Sequence, residues 1–433
     1  MKTAAVIPAP GPSADTAALM REARRRQRRR RLVVGLAAVV VAAGGSGIVA
    51  AVHRASPQRP ASQPRRKIVA SHPAQPGPPG RIPRSVDTTL LMWPIDPGQY
   101  GGIYVDNLRT GQLLQPQTPG MDPGEFAPIL PVGRWVVWVN DNAVSAVAAQ
   151  APGTPRVLGK TLLFAPSAAP GQVWLQYGFF GHGPNTVRSV AVADGHASLP
   201  IRLSAGTMLI AGTDAGLLLS ADNSIQLWNP GGTPTTLPYS SSAQAFAVSP
   251  RLVAYDTGCT QEGTAPDLSY GGNYGYSACR TLRVFEVATG RLWSFTAPPG
   301  TSGWVPSHGG YWSVSAIARS GRRIAAEAAV PPDSRGVARV FVLSLAGSHL
   351  RAAAVPSSAA FLLSVTAWSA DSSWLFYQGP GRRLWAYQVT TGRVRSSSTP
   401  CCQYAVLAPI DSRPADRQAR RGVGRRSRPS RPS

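Results

Sequence analysis

The sequence predicts an all-β repeat fold behind a single membrane-spanning helix, from three observations. Seven segments share one pattern, an alternating strand, a tight turn with glycine and a second short strand: the turn glycines are Gly111, Gly153, Gly195, Gly231, Gly290, Gly347 and Gly392. Their spacings of 42, 42, 36, 59, 57 and 45 residues average about 47, near the length of a propeller blade. Composition agrees. Gly 44 and Pro 41 make nearly a fifth of 433 residues while charged residues make 15%, which disfavours long charged helices and coiled coils.

Each hairpin follows a further pair of apolar runs, so the repeat holds four strands. Period-2 alternation in Leu282, Val284 and Glu286, or in Leu384, Ala386 and Gln388, marks strands with two different faces. The Thr-Gly, Asp-Gly and Gly-Gly turns supply positive φ at low steric cost and join strands three and four. The expected architecture is a β-propeller of seven four-stranded blades over residues 87–410. A propeller must close its ring, because an open edge strand invites association. The apolar segments 404–410 and 88–93 are the candidates for sharing a closing blade. Six or eight blades, or two sandwich domains, are the alternatives.

Residues 21–31 carry eight Arg and precede 32–52, which hold no charged residue. At 1.5 Å per residue a helix of that length reaches about 31 Å, the thickness of a hydrocarbon core. The Arg cluster favours a cytoplasmic N-terminus, which places the rest of the chain outside. A cleaved secretory signal is the competing reading, and both export the body. Residues 53–86 hold eight Pro and seven basic residues without an acidic one, and read as an extended stalk; 411–433 read as a disordered basic tail.

The formal net charge of +24 suggests nucleic acid until it is located. Residues 1–86 contribute 16 basic and two acidic residues and 411–433 eight and two, so the body between keeps 20 against 16. Nucleic-acid binding by the body is therefore not expected.

The pattern A-[VIW]-[SA], a short turn, a strand and a Gly-containing hairpin, best in 247–295, 316–351 and 367–394, resembles the bacterial TolB-like and WD-repeat-like propellers. That resemblance implies an interaction platform. The Gly-His and Trp-Asp signatures of eukaryotic WD repeats are absent, so their hydrogen-bond network is not implied.

The long spacings come from insertions. Residues 179–185, 256–280 and 331–336 are expected as loops between strands two and three, and 298–310 as a loop from strand four to the next blade, all at one end of the blades. They bring Tyr270, Tyr274, Tyr276, Trp304, His308, Tyr311 and His182 to a candidate binding face; packing over the blade ends is the competing role. Export and an even cysteine count favour a disulfide, and Cys259 and Cys279, which bracket 19 residues between adjacent strands, are its candidates. Cys401 and Cys402 are adjacent and pair with each other only under strain. No His or Cys falls at zinc-ligand spacing, and no G-x-S-x-G or P-loop occurs. Asp256, Glu262, Asp267 and Asp333 share the insertion face but lack EF-hand spacing, and read as solvated loop carboxylates. No cofactor or metal is expected. The function expected is a non-catalytic binding or scaffold module at the cell envelope for a protein, peptide or glycan; the alternative is a propeller lactonase or other hydrolase.

Overall fold

The computed structural model describes residues 80–83, 86, 88–92, 103–116, 129–140, 143–149, 153–161, 163–179, 184–241, 243–266, 273–305, 316–330, 337–345, 351–356, 360–361, 366–379, 383–400 and 408–410. All belong to the second of two units, Arg65–Ser433. The expected leader 1–31, membrane helix 32–52 and tail 411–433 lie outside the described residues. No helix among the described residues is long and apolar enough to cross a membrane.

A short strand β1 (Gly80–Arg81) is followed by β2 (Thr89–Met92), β3 (Tyr104–Asn107) and β4 (Gln112–Leu114). Strands β5 (Ile129–Val132), β6 (Trp135–Asn140), β7 (Ala143–Ala148) and β8 (Arg156–Gly159) form a four-stranded antiparallel meander. So do β9 (Leu163–Pro166), β10 (Gln172–Tyr177), β11 (Thr186–Ala191) and β12 (Ile201–Arg202), then β13 (Met208–Thr213), β14 (Gly216–Ala221), β15 (Ser224–Trp228) and β16 (Thr235–Thr236). The next two groups are β17 (Gln244–Val248), β18 (Leu252–Pro266), β19 (Asn273–Glu286) and β20 (Leu292–Thr296), and β21 (Gly303–Val305), β22 (Arg323–Ala329), β23 (Val337–Ser344) and β24 (Arg351–Ala354). These eight strands merge and, with β25 (Ala360–Phe361) pairing β23, make one nine-stranded sheet. Last come β26 (Thr366–Trp368), β27 (Trp374–Gly379), β28 (Arg383–Gln388), β29 (Arg393–Pro400) and β30 (Ala408–Ile410).

The two ends of this series are stitched together. Strand β30 pairs antiparallel with β2, Leu90 opposite Pro409, and becomes the first strand of the sheet β30-β2-β3-β4. Strand β1 runs parallel to β29, Gly80 opposite Arg395, so pairing begins inside the segment expected to be stalk. Val86, also in that segment, is buried in the core.

Alternation along each strand feeds two cores, one on each sheet face. From β6, Val136 and Trp138 join Leu90, Val105 and Phe376, whereas Val137 joins Val173 and Leu175 of β10. The same handover continues along the chain: Val187 with Leu217, Leu218 with Val253, Leu282 with Ile324, Val340 with Leu375. Each buried Val or Leu contributes about 1.5–3 kcal/mol. The result is an all-β architecture of successive four-stranded antiparallel sheets, consistent with a β-propeller.

The expected turns recur with one geometry. Gly111, Gly195, Gly290 and Gly392 have φ of 72, 79, 71 and 69° and donate their N–H to Asn107, Ala191, Glu286 and Gln388 carbonyls at 2.7–2.9 Å. In three of them a preceding Thr Oγ1 accepts the next N–H, from Gln112, Arg291 and Arg393. A left-handed residue at that position is what the closing bond requires, and glycine adopts it without strain.

Candidate functional site

The β18–β19 hairpin is built unlike its counterparts. Its ladder runs from Leu252 opposite Glu286 to Pro266 opposite Asn273, while the next strand, β20, pairs only with 281–285 of β19. A two-stranded ribbon therefore projects beyond the four-stranded part. The expected loop at 256–280 is thus a β-ribbon, a correction whose cause is local: Gly258, Gly263 and Gly275 interrupt the alternation by which a strand is recognised. Cys259 and Cys279 are cross-strand partners at its root and are disulfide-bonded, with Cα atoms 3.9 Å apart.

Above β20 the edge of β19 is taken by β21, where Cys279 stands opposite Trp304. That approach needs a glycine at 303, since a Cβ there would lie 2.8 Å from the Cys279 nitrogen and 2.9 Å from the Ala278 Cβ. The ribbon is consequently rooted in two adjacent groups of strands.

Trp304 was expected on the binding face, and the structure corrects this. It is 1% exposed, donates its indole N–H to the Phe295 carbonyl at 3.0 Å, and meets Phe341 edge to face at 5.7 Å. The expected loop at 298–310 likewise contains the strand Gly303–Val305. Three residues between Ser302 and Pro306 show no periodicity, so this strand was invisible in the sequence. Val305 pairs with Glu327 of β22, and the chain rejoins the same strand at Ile317, opposite Ile324. Residues 306–315 lie outside the described residues.

His182, Tyr270, His308, Tyr311, Cys401 and Cys402 lie outside the described residues. Tyr274 and Tyr276 are in β19, opposite Ala265 and Gly263, and their backbone alone is described. Among the described residues, no three His, Cys, Asp or Glu side chains gather as metal ligands.

Asp256, expected as a solvated loop carboxylate, is 1% exposed in β18 beside Leu282, and among the described residues neither carboxylate oxygen has a hydrogen-bond partner. Burial pushes its pKa up to about 8, so it is neutral at moderate pH. Asp106 in β3 is also raised by burial; the two lie in different sheets.

A feature without a sequence signal lies near the ribbon root. Arg283 of β19 donates to the Thr257 and Ser294 hydroxyls at 3.2 and 3.1 Å and lies 4.0 Å over the Tyr239 ring. Tyr239 is 68% exposed with φ of 59°, an uncommon conformation for a bulky residue. Below it, Tyr255 donates to the Pro238 carbonyl at 2.7 Å, and burial raises its phenol to about 12. In the β9–β12 sheet, Gln176 and Asn185 tie the corresponding strand ends to the Thr207 carbonyl, each at 2.8 Å.

No protein-family model matches the chain, and no curated protein matches it. Among solved structures, it is similar to a prolyl endopeptidase at 17% identity, with 63% of this chain and 41% of that one covered and a TM-score of 0.39. The chain thus spans about two fifths of that protein's length. A putative 6-phosphogluconolactonase from Bacteroides fragilis aligns at 16% identity over 75% of this chain and 98% of that one, TM-score 0.42. The Cps50 (Swd1) β-propeller domain of Myceliophteria thermophila aligns at 12% identity over 66% and 90%, TM-score 0.41. No activity is carried over from any of them.

Proposed function

We propose that the chain is a single-pass, extracytoplasmic β-propeller of seven four-stranded blades that binds an envelope protein, peptide or glycan without catalysis. The blades in this reading are the sheet β30-β2-β3-β4, the three meanders from β5 to β16, the groups β17–β20 and β21–β24, and β26–β29. Supporting a closed ring, the core on one face of β6 reaches both Leu90 and Phe376, which brings the first and last sheets into one cluster. The Arg-flanked apolar segment 32–52 supports the anchor, with the N-terminus cytoplasmic.

The observation that carries the binding role is the disulfide-closed ribbon of β18 and β19, which continues past the strands that complete its blade. Ordering extended backbone away from a core costs about 1–2 kcal/mol per residue, so such an extension is suited to a preformed contact surface. Replacing 261–277 with an Asn-Gly turn leaves Thr260 opposite Ala278 and keeps the Cys259–Cys279 bond. The shortened protein should keep the thermal transition of the full chain and lose capture of its partner from envelope extract. Capture undiminished by this replacement would refute the assignment.

A further inference from the structure

Between the β9–β12 and β13–β16 sheets, at the strand ends away from the second-to-third connections, lies a groove of about 270 Å³. Its walls include Ser167, Gln172 and Trp174 from one sheet and Gly212, Leu217 and Pro230 from the other. Trp174 is half-buried above Val187 and Leu217, where the core between these sheets opens to the surface. Gly212 keeps it open: a Cβ there would stand 2.4 Å from the Trp174 Nε1.

The lining chemistry narrows the ligand. None of the lining residues carries a charge. The indole N–H of Trp174 has no acceptor among the described residues. Gln172 accepts from the Ser189 hydroxyl through Oε1, which leaves its amide N–H groups to donate. Ser167 accepts from the Ala169 N–H, which leaves its own proton to donate. The other two polar side chains of the lining already spend their protons, Ser189 on Gln172 and Thr213 on the Gly216 carbonyl. The groove thus offers three neutral donors beside an apolar wall that includes Leu217, Pro230 and the indole. A purely apolar ligand would leave those donors unpaired, and a charged one would lose hydration without a counter-charge. At 270 Å³ the space is just below the ~300–1,000 Å³ typical of drug-sized ligands, which suits one small ring.

We propose that this groove is a subsite for a single neutral sugar ring, its apolar C–H face against Leu217 and Pro230 and its oxygens toward the three donors. It is separate from the ribbon, so the site stands or falls independently of the function proposed above.

Saturation-transfer NMR on the full-length, detergent-solubilised protein provides the test, with glucose, galactose and N-acetylglucosamine as probes and galacturonate and cyclohexanol as controls. At least one neutral sugar should receive saturation on its ring protons at about millimolar affinity, and the two controls should receive little. Trp174→Phe keeps the ring and removes the N–H, and should weaken binding about fivefold. Gly212→Val fills the groove and should abolish transfer, whereas the shortened ribbon should leave it unchanged. The proposal is overturned if no neutral sugar receives saturation, if galacturonate or cyclohexanol binds as well as the sugars, or if a folded Trp174→Phe or Gly212→Val protein binds as the parent does.

Discussion

Replacing Trp304 with alanine discriminates between a residue that displays itself to a partner and one that holds two strand groups together. An indole side chain buries roughly 200 Å². At about 25 cal/mol/Å² that is about 5 kcal/mol, of which the alanine methyl recovers about 1. Loss of the bond from its N–H to the Phe295 carbonyl adds about 1 kcal/mol, and partial collapse around Phe341 returns some of the total. The expected loss is therefore about 3–5 kcal/mol, in the range for Trp→Ala in cores. With a urea slope of about 3 kcal/mol/M, the unfolding midpoint should fall by roughly 1–1.7 M. Trp304→Phe, which keeps an aromatic ring against Phe341, should lose about 1–2 kcal/mol. A Trp304→Ala loss below about 1 kcal/mol would place the indole at the surface and refute the buried assignment.

Other consequences follow from the same structure. Asp256 carries a proton when folded that the unfolded chain releases above about pH 4, so its contribution to stability should fall by about 1.4 kcal/mol per pH unit from about 4 to 8 and then level off. Urea midpoints of Asp256→Asn and parent should diverge across that window; parallel profiles would contradict a buried neutral carboxyl. Replacing Cys259 with Ser and Cys279 with Ala should cost about 3 kcal/mol, the chain-entropy value for a loop of this size. Non-reducing peptide mapping should find Cys259 and Cys279 in one linked pair. Protease added to spheroplasts should digest the β-sheet body and spare the N-terminus; a protected body would reverse the proposed topology.

Much of the repeating architecture was legible because it rests on local chemistry. Gly111, Gly195, Gly231, Gly290 and Gly392 all take positive φ at the positions their turn motifs required. The segments 404–410 and 88–93, singled out for ring closure, contain β30 and β2, which pair. What was hidden depends on partners distant in sequence. Gly303–Val305 is a strand because Cys279 and Ala328 flank Trp304, and three residues carry no period of their own. Gly80–Arg81 pairs with β29 across more than 300 residues, within a Pro-rich stretch that composition alone reads as extended chain. Asp256 looked solvated because its neighbours Thr257 and Gly258 look like a loop, yet Ala254 and Leu282 carry its face into the core. The Arg283–Tyr239 contact joins positions 44 apart, and no motif announces it.

The central claim, that the ribbon-bearing end is where a partner docks, is tested most directly by site-specific photocrosslinking in native membranes. A photoreactive residue at exposed Arg280, beside the Cys259–Cys279 bond, probes the ribbon root, and one at Leu199, 87% exposed in the connection from β11 to β12, is the control. Proposed docking predicts a discrete adduct from position 280 and none from 199. No adduct at 280, or the same adduct from both positions, would contradict it.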